Sequence, residues 1–514
     1  MNIAEHFPAL VIVIPLLFAL ITWLAGLINR AFCWVIVLTI TFLCFLMSFS
    51  ILNTVMHTGR ISYHMGAWEP PWGIEYAIDY LNGFVLVVVS FIAFIVTLYS
   101  RKSVGLEIDE EKSPAFYSLY MLLFTGLMGM TITGDIFNLY VFIEITSLSG
   151  YALIAIGRRR NSLMASFNYL ILGTIAATFI LIGIGYLYMV TGSLNMADLR
   201  EKLPPLYHSR VVLTAFGFFT VGLSLKLALF PLHIWLPNAY TYAPSVVSAI
   251  MAATSTKVGA YAMLRILFTV FKVEFDLNVV PVTKILLVLS CIAIIAGSVL
   301  AISQTNIKRM LAYSSVGQIG YIVLGTTMAN QTAMTGSIIH ILNHALMKGT
   351  LFLVAGCVVY KTGIEDISGL KGMGQKMPFS MAAFTVGALS MVGVPLTVGF
   401  ISKWYLATGA LKAGMWFILP IILISSLLSA VYFWRIIEGI YFAPAVSSQH
   451  SEVSTNRSLE HHNPHPISRS RDDAPPGMLI PTLILAGLCI FFGIAAYIPV
   501  SVAEKAANML LGGT

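Results

Sequence analysis

Long apolar runs recur along the whole chain, and they restrict the folds that it can adopt. An α-helix needs about 20 apolar residues to cross a bilayer, and the first run of that length begins at Phe7. Of the 514 residues, 58% are hydrophobic and 10% are charged, whereas soluble domains have about 25% charged residues. The sequence therefore predicts an all-α polytopic membrane protein without a sizeable soluble domain.

About 14 such runs are present, and we refer to them as spans 1 to 14. They lie near residues 7–28, 31–52, 80–99, 115–133, 136–156, 166–190, 211–230, 245–271, 282–302, 310–328, 335–360, 379–412, 415–442 and 478–498. Pro231 stands at the end of span 7, and Pro395 lies within span 12, two residues after Gly393. Because proline removes a backbone donor, we expect both spans to be broken there.

The spans group into five segments. These are 1–114 with spans 1 to 3 and an outer loop, 115–271 and 282–442 with five spans each, the linker 443–477, and 478–514 with the last helix. Within the outer loop, residues 58–79 surround a Pro-Pro-Trp-Gly turn, which predicts a surface hairpin. The linker has no apolar periodicity and is predicted to be disordered.

Basic residues favour one face of the bilayer. Loops after odd-numbered spans hold about 15 of them, including Arg158–Arg160, and the other loops hold about 8. The positive-inside rule then puts the odd loops in the cytoplasm and both termini on the outer side of the plasma membrane. Because the basic residues are spread over many loops, most of them singly, the net charge of +7 does not indicate a nucleic-acid partner.

The sequence predicts no cofactor, metal or catalytic centre in the chain itself. The cysteines lie in apolar segments without a CxxC pair, and the linker histidines match no defined metal spacing, so a solvated linker is the preferred interpretation. These residues are Cys33, Cys44, Cys291, Cys357, Cys489, His450, His461, His462 and His465. No phosphate-binding loop, dinucleotide fingerprint or nucleophile elbow was found. Energy for transport must then come from an ion gradient or from partner subunits.

Four ionisable residues lie inside apolar spans, where a charge is costly and usually functional. They are Glu144, Lys226, Lys257 and Lys403. Glu144 lies nine residues after Asp135, a predicted helix cap, and so about 14 Å along its helix, near the bilayer centre. A nearby lysine would keep this carboxylate charged, and motion of that lysine would load or release a proton. The alternative is a static salt bridge between helices.

Two lysines lie beside the predicted helix breaks. Lys226 precedes Pro231, and Lys403 follows Pro395. Broken helices at membrane depth usually line a hydrated cavity, so water can reach both lysines. His233, two residues after Pro231, either extends a proton relay or caps carbonyls that the break leaves free.

A titratable row is predicted between the two breaks. His340, His344 and Lys348 have the spacing i, i+4, i+8 and share one helix face, and Lys257 lies about 20 Å into span 8. Histidine titrates near neutral pH, which favours a relay. Zinc binding by the two histidines is the alternative, but a third ligand is missing.

These residues lie in motifs that resemble one family. The motifs are GDIFNLYVFIE (134–144), LSLKLALFPLHIWLPNAY (223–240), STKVGAYAMLR (255–265), IKRMLAYSSVGQIGYI (307–322), HILNHALMKGTLFLVAG (340–356) and GVPLTVGFISKW (393–404). They resemble the antiporter-like subunits of respiratory complex I, membrane-bound hydrogenases and Mrp-type cation/proton antiporters. GDIFN and TGSLNMADL (191–199) are most similar to the D-type subunit of the Mrp antiporters.

The resemblance implies two inverted five-helix repeats, spans 4–8 and 9–13, with spans 7 and 12 broken. It also implies a Glu144–Lys226 pair, a connecting Lys257, relay histidines and a terminal Lys403. The function that we expect is proton translocation in a multisubunit Na⁺ or K⁺/H⁺ antiporter. A proton-pumping subunit of a complex I-like or hydrogenase complex, and a membrane anchor without transport, are the alternatives. Either transport function requires partner membrane subunits in the lipid bilayer.

Overall fold

The computed structural model describes residues 3–272, 275, 281–443 and 472–512. Within these residues, eleven helices are long and apolar enough to cross a membrane. The remaining three predicted spans fall on shorter, interrupted or less apolar helical segments. The prediction of a helical polytopic membrane protein is confirmed.

The helices follow the predicted spans along the chain. The first part has α1 (Phe7–Ile28), α2 (Arg30–Thr58), α3 (Tyr80–Glu107), α4 (Ser113–Ile132), α5 (Ile136–Ala155), α6 (Arg160–Thr191), α7 (Met196–Lys202), α8 (Arg210–Leu227), α9 (Trp235–Tyr242), α10 (Ser245–Ile250) and α11 (Thr256–Leu264). The second part has α12 (Val282–Ile302), α13 (Ile307–Thr327), α14 (Gln331–Thr362), α15 (Met373–Lys376), α16 (Pro378–Val392), α17 (Val398–Lys412), α18 (Ile418–Tyr441), α19 (Pro476–Ile494) and α20 (Tyr497–Leu510). Short π-helical turns at Met251–Ser255 and Arg265–Val270 flank α11.

Spans 7 and 12 are broken, as predicted. Helix α8 ends at Leu227, its C-cap Ala228 has a left-handed φ of 60°, and α9 begins only at Trp235. Helix α16 ends at Val392, its C-cap Gly393 has φ 90°, and α17 begins at Val398. Left-handed backbone suits glycine because it has no Cβ, and the prolines that follow prevent the helix ladder from continuing.

The predicted surface hairpin forms between α2 and α3. Strands β1 (Ile61–His64) and β2 (Glu75–Ile78) are antiparallel, and Ile61 pairs with Ile78. The backbone N–H of Gly134 donates to the carbonyl of Glu75 at 2.8 Å. The hairpin therefore packs against the turn between α4 and α5, and we call this side of the molecule the hairpin face.

One turn geometry occurs twice, at opposite ends of α6. Beyond the end of α6, two backbone hydrogen bonds join the chain segments 134–136 and 194–196. The N–H groups of Ile136 and Met196 donate them, at 2.9 and 2.8 Å. Residues 305–307 and 365–367 make the same exchange, with two bonds of 2.8 Å.

The second copy of this turn lies near the start of α6, because Arg159 contacts Glu365 at 2.6 Å. Helix α6 has 32 residues, about 48 Å, which exceeds the bilayer core. The two turns therefore lie on opposite faces, as two halves of opposite orientation require. The full extent of the predicted five-helix repeats remains a prediction.

Helix α14 forms the centre of the molecule. Its most apolar 18-residue stretch is completely buried, and it packs against α13, α16, α17, α19 and α20. His340, His344 and Lys348 project from this helix. The predicted relay face is thus enclosed by protein on all sides.

The C-terminal region differs from the prediction in two places. Most of the predicted linker, 444–471 with its four histidines, lies outside the described residues. Its end is folded, because Asp472 pairs with Lys361 at 2.7 Å and Asp473 accepts the backbone N–H of Phe379 at 2.7 Å. The single C-terminal helix that we predicted is also wrong, since α19 ends at Ile494 and α20 follows it.

Candidate proton-transfer site

Glu144 and Lys226 approach each other between α5 and α8. Asp135 caps α5 by accepting the backbone N–H of Asn138 at 2.7 Å, and it thereby sets the depth of Glu144. Lys226 Nζ lies 3.9 Å from Glu144 Oε1 and donates to Ser147 Oγ at 2.6 Å. The side chains are 24% and 9% exposed for glutamate and lysine. This pair is close enough to interact and loose enough to separate.

Lys257 lies deeper, on α11 directly after a π-helical turn. It is 1% exposed, and its Nζ donates to the carbonyl of Ala252 and to Thr256 Oγ1, the latter at 3.4 Å. Irregular turns of this kind occur often at functional sites. The helices approach closely here, since a Cβ on Gly259 would lie 3.4 Å from the backbone of Leu227.

The row on α14 is fully buried. The rings of His340 and His344 stack with centroids 5.9 Å apart, and His340 Nδ1 forms a 2.8 Å hydrogen bond with Ser402 Oγ. Lys348 Nζ donates to the carbonyl of Leu311 at 2.7 Å and also to Ser314 Oγ. The predicted common face of the three residues is therefore formed. No cluster of three or more His, Cys, Asp or Glu suited to a metal occurs in the described residues.

Lys403 joins this row from the second break. Its Nζ donates to the carbonyls of Met391 and Val392 at 3.0 and 2.8 Å, and to Ser426 Oγ at 2.9 Å. The Nζ also lies 5.3 Å from the ring centre of Tyr321, which is 5.7 Å from the ring of His340. Lys403, Tyr321, His340 and His344 thus lie one after another, with separations of 5.3, 5.7 and 5.9 Å between successive groups.

His233 connects the first break to the second half of the chain. Its ring stacks on Phe230 at 5.1 Å and meets the edge of Tyr313 on α13 at 6.2 Å. It lies apart from the series on α14. The structure therefore leaves both predicted roles, relay and carbonyl cap, as predictions.

A buried ion pair that the sequence did not reveal lies on the face opposite the hairpin. Lys308, which falls between the predicted spans 9 and 10, is completely buried on α13 with its Nζ 3.4 Å from Glu365 Oε1. Glu365 also accepts from Arg159 at 2.6 Å and from Asn306 at 3.3 Å. The two residues are far apart in sequence, so no local pattern predicts that they pair. The one available signal was that Lys308 follows a helix cap closely and so belongs to a helix rather than to a loop.

The pKa of Glu365 reflects these contacts. Burial alone would raise it, but the charge of Lys308 and the hydrogen bonds from Arg159 and Asn306 outweigh burial and hold the pKa below its ordinary value of 4.5. Glu365 therefore stays ionised and neutralises the buried lysine near neutral pH.

A second buried pair lies on the hairpin face. Arg265 Nη2 contacts Asp79 Oδ1 at 2.5 Å, and the two side chains are 7% and 12% exposed. These residues are 186 positions apart, so only the folded chain shows that they meet. Sequence reasoning had placed Asp79 in the surface hairpin and given Arg265 no role.

The fold and this site define a polytopic helical membrane protein with a buried row of titratable side chains between two broken helices. Residues 133–429, more than half of the chain, match the family described as NADH:quinone oxidoreductase/Mrp antiporter, transmembrane. The chain belongs to this family. The expected superfamily is thereby confirmed.

Relatives occur in both branches of the family. The chain is 45% identical to the N-type subunit of NADH-quinone oxidoreductase from Desulforudis audaxviator, with 93% of this chain and 94% of the relative covered. It is 29% identical to the D-type subunit of a Na⁺/H⁺ antiporter from Bacillus subtilis, with 90% and 88% covered. A chain in the structure of the Mrp complex from Dietzia sp. has the same fold, with a TM-score of 0.88, 23% identity and coverage of 100% and 98%.

Proposed function

We propose that this chain is a proton-translocating membrane subunit of a multisubunit monovalent cation (Na⁺ or K⁺)/H⁺ antiporter. The observation that carries the proposal is the buried series Lys403–Tyr321–His340–His344, together with the loose Glu144–Lys226 pair at the other break. Water reaches buried side chains most readily at such breaks. The chain would then connect two points of water access through its interior.

The first pair is suited to loading and releasing a proton. Burial favours an uncharged lysine, and a nearby carboxylate favours the charged form. At 3.9 Å, Lys226 is already outside direct hydrogen-bond distance of Glu144 but is held by Ser147. A small movement of α8 relative to α5 therefore changes how strongly Lys226 holds its proton.

Protons would pass between the two halves through Lys257. Lys226 makes no direct hydrogen bond to Lys257 in the described residues, so water must complete this step. Lys403 would exchange the proton with one side of the membrane, and Lys348 would stabilise the row by holding α13.

Partner subunits and membrane orientation belong to the same proposal. We place the chain in the plasma membrane with the hairpin face and both termini outside, because the loops on the opposite face carry most of the basic residues. The two five-span segments, 115–271 and 282–442, would be inverted repeats with one break each. Other membrane subunits would supply cation binding, and any oxidoreductase activity would belong to the assembly.

A second candidate is a proton-pumping subunit of a redox-driven, complex I-like complex. The specific observation in its favour is the 45% identity to a protein named as the N-type subunit of NADH-quinone oxidoreductase. Purification in mild detergent would separate the two candidates. Copurifying cation-antiporter subunits would support the first, and iron–sulfur or nickel–iron subunits the second.

Neutral variants test the proposal directly. Glu144→Gln and Lys226→Met should abolish proton antiport in everted vesicles, while the complex still assembles. Lys202→Met is the matched control, because Lys202 is 44% exposed and pairs with Asp198 on the surface. Normal proton flux in both site variants would contradict transport by this chain and favour a membrane anchor.

A further inference from the structure

Two adjacent basic residues near the end of α3, Arg101 and Lys102, have no acidic partner. Both are exposed, and neither side chain forms a hydrogen bond or an ion pair within the part of the chain that the structure describes. Other basic residues near this end of α3 are neutralised at 2.8 to 3.1 Å: Arg30 pairs with Glu110, and Lys112 and Arg158 pair with Asp109. Two positive charges therefore remain free for an anion.

These two residues lie at the depth of the lipid headgroups. Helix α3 begins at Tyr80 on the hairpin face, and residues 80 to 101 rise about 32 Å along its axis. The hydrocarbon core of a bilayer is about 30 Å thick. A helix that enters the core near Tyr80 therefore brings Arg101 and Lys102 to the headgroups of the opposite leaflet.

A tryptophan holds Arg101 at this depth. Trp34 of α2 donates its indole N–H to the carbonyl of Thr97 on α3 at 2.9 Å, which fixes the ring between the two helices. The guanidinium carbon of Arg101 lies over this ring, 4.8 Å from its centre. An arginine on an aromatic face keeps N–H groups at its edge for the oxygens of a phosphate. Arg101 is therefore positioned for an anion rather than only exposed.

An aromatic row between α2 and α3 leads from Arg101 toward the bilayer centre. The ring centres of Phe42 and Phe94 are 5.1 Å apart, and those of Phe45 and Phe91 are 5.4 Å apart. On α3 the two pairs lie about 10 and 15 Å below Arg101, and one leaflet of the hydrocarbon core is about 15 Å thick. Phe42 is 41% exposed and the other three rings are partly exposed. The row therefore offers apolar contacts along the length of one leaflet.

We propose that the exposed surface between α2 and α3 binds an anionic phospholipid, with its phosphate at Arg101 and Lys102 and an acyl chain along the aromatic row. Charge complementarity favours a lipid of net negative charge, because both cations lack an acidic partner. Basic side chains at a membrane surface attract anionic headgroups in general, and the aromatic row makes this attraction specific to one position. A free phosphate would use the cations alone. The inference goes beyond the proposed function and does not depend on the proton path.

The first experiment counts phospholipids bound to the purified, delipidated complex by native mass spectrometry during titration with phosphatidylglycerol. The variant Arg101→Gln/Lys102→Gln should bind one tightly held phosphatidylglycerol fewer, and its affinity at this site should fall about tenfold or more. Arg160→Gln/Lys371→Gln is the matched control, because it removes two exposed charges from the same face of the molecule. An equal loss in the control would mean diffuse attraction and would overturn the proposal.

The second experiment separates the lipid from other sources of negative charge. Phe42→Leu/Phe94→Leu keeps both cations and should weaken phosphatidylglycerol binding about threefold or more, because it removes aromatic contacts from the acyl chain. Inorganic phosphate in excess should not displace the lipid. Unchanged binding in the phenylalanine variant, or displacement by phosphate, would contradict a seat for the acyl chain. An unchanged lipid count with loss of a partner subunit from Arg101→Gln/Lys102→Gln would show that the cations hold a protein, and the proposal would be wrong.

Discussion

The lysines at the two helix breaks are stabilised by different chemistry. Lys226 lies before its break and depends on side chains of another helix, Glu144 and Ser147. Lys403 lies after its break and bonds to Met391 and Val392, the carbonyls on the other side of the same break. The broken span 12 therefore provides backbone partners for its own lysine, whereas the broken span 7 does not.

The difference follows from what happens to the carbonyls at each break. A helix C-terminus leaves carbonyls without partners, and it carries partial negative charge. At the first break, Trp235 Nε1 occupies the carbonyl of Leu225 at 2.9 Å, and the N–H of Leu229 occupies that of Ser224 at 2.9 Å. Lys226 therefore needs a carboxylate, and a carboxylate can move away. We infer that the first half is the adjustable site and the second a more fixed one.

The largest effect is expected from removing the charge of Lys403. Lys403→Met should abolish proton flux as completely as Lys226→Met, because each break would supply one end of the path. Lys412→Met is the matched control, since Lys412 is exposed and bonds Thr332 on the surface. Normal flux in Lys403→Met would restrict the proton path to the first half of the chain and would contradict a role for the second break in transport.

Stability should differ between the two turns at opposite ends of α6. Glu365→Gln leaves the buried Lys308 unpaired and should cost about 3 kcal/mol of unfolding free energy. Glu75→Gln leaves Arg60, which is 52% exposed, and should cost about 1 kcal/mol or less. Thermal unfolding of the purified complex in detergent measures both. Equal losses of unfolding free energy in the two variants would show that burial of the remaining cation does not determine the destabilisation.

The loss in Glu365→Gln should also depend on pH. Because the pKa of Glu365 is lowered in the folded chain, its contribution is present above the ordinary value of 4.5 and is lost as pH falls through the folded pKa. The difference in midpoint between the native chain and Glu365→Gln should therefore stay constant at neutral pH and shrink as the pH falls below about 4.5. A difference that stays constant in that acidic range would contradict the ion pair.

A smaller effect should distinguish the hydroxyl partners of the two lysines. Ser147→Ala removes the direct hydrogen-bond partner of Lys226, whereas Ser426→Ala leaves Lys403 with two carbonyls. A hydrogen bond contributes about 1 kcal/mol, so Ser147→Ala should lower flux about fivefold and Ser426→Ala less than about twofold. Initial rates of proton uptake in vesicles would show it. A larger effect of Ser426→Ala would reverse our assignment of the adjustable site.

The sequence predicted features that depend on local pattern. Apolar runs located the helices, Pro231 and Gly393-Val394-Pro395 located both breaks, and the spacing of His340, His344 and Lys348 located their common face. Each signal lies within about one helix length, where backbone chemistry and helical period determine the outcome.

The missed features depend on contacts between distant segments. Lys308 resembled a loop cation because it follows a turn, and only Glu365 explains its burial. Asp79 resembled a hairpin residue until the π-helical turn after α11 brought Arg265 to it. Nothing in the sequence near Lys403 indicated that carbonyls, rather than a carboxylate, would hold it. Partner choice between spans is set by packing, which one sequence does not specify.

Replacement of Lys226 by arginine tests the central claim most directly. Arginine keeps the positive charge and can still pair with Glu144, but it does not release its proton at any physiological pH. If Lys226 carries protons, Lys226→Arg should assemble normally and lose proton flux in vesicles as fully as Lys226→Met does. If Glu144 and Lys226 form only a static salt bridge, Lys226→Arg will retain near-normal flux, and the account will be contradicted.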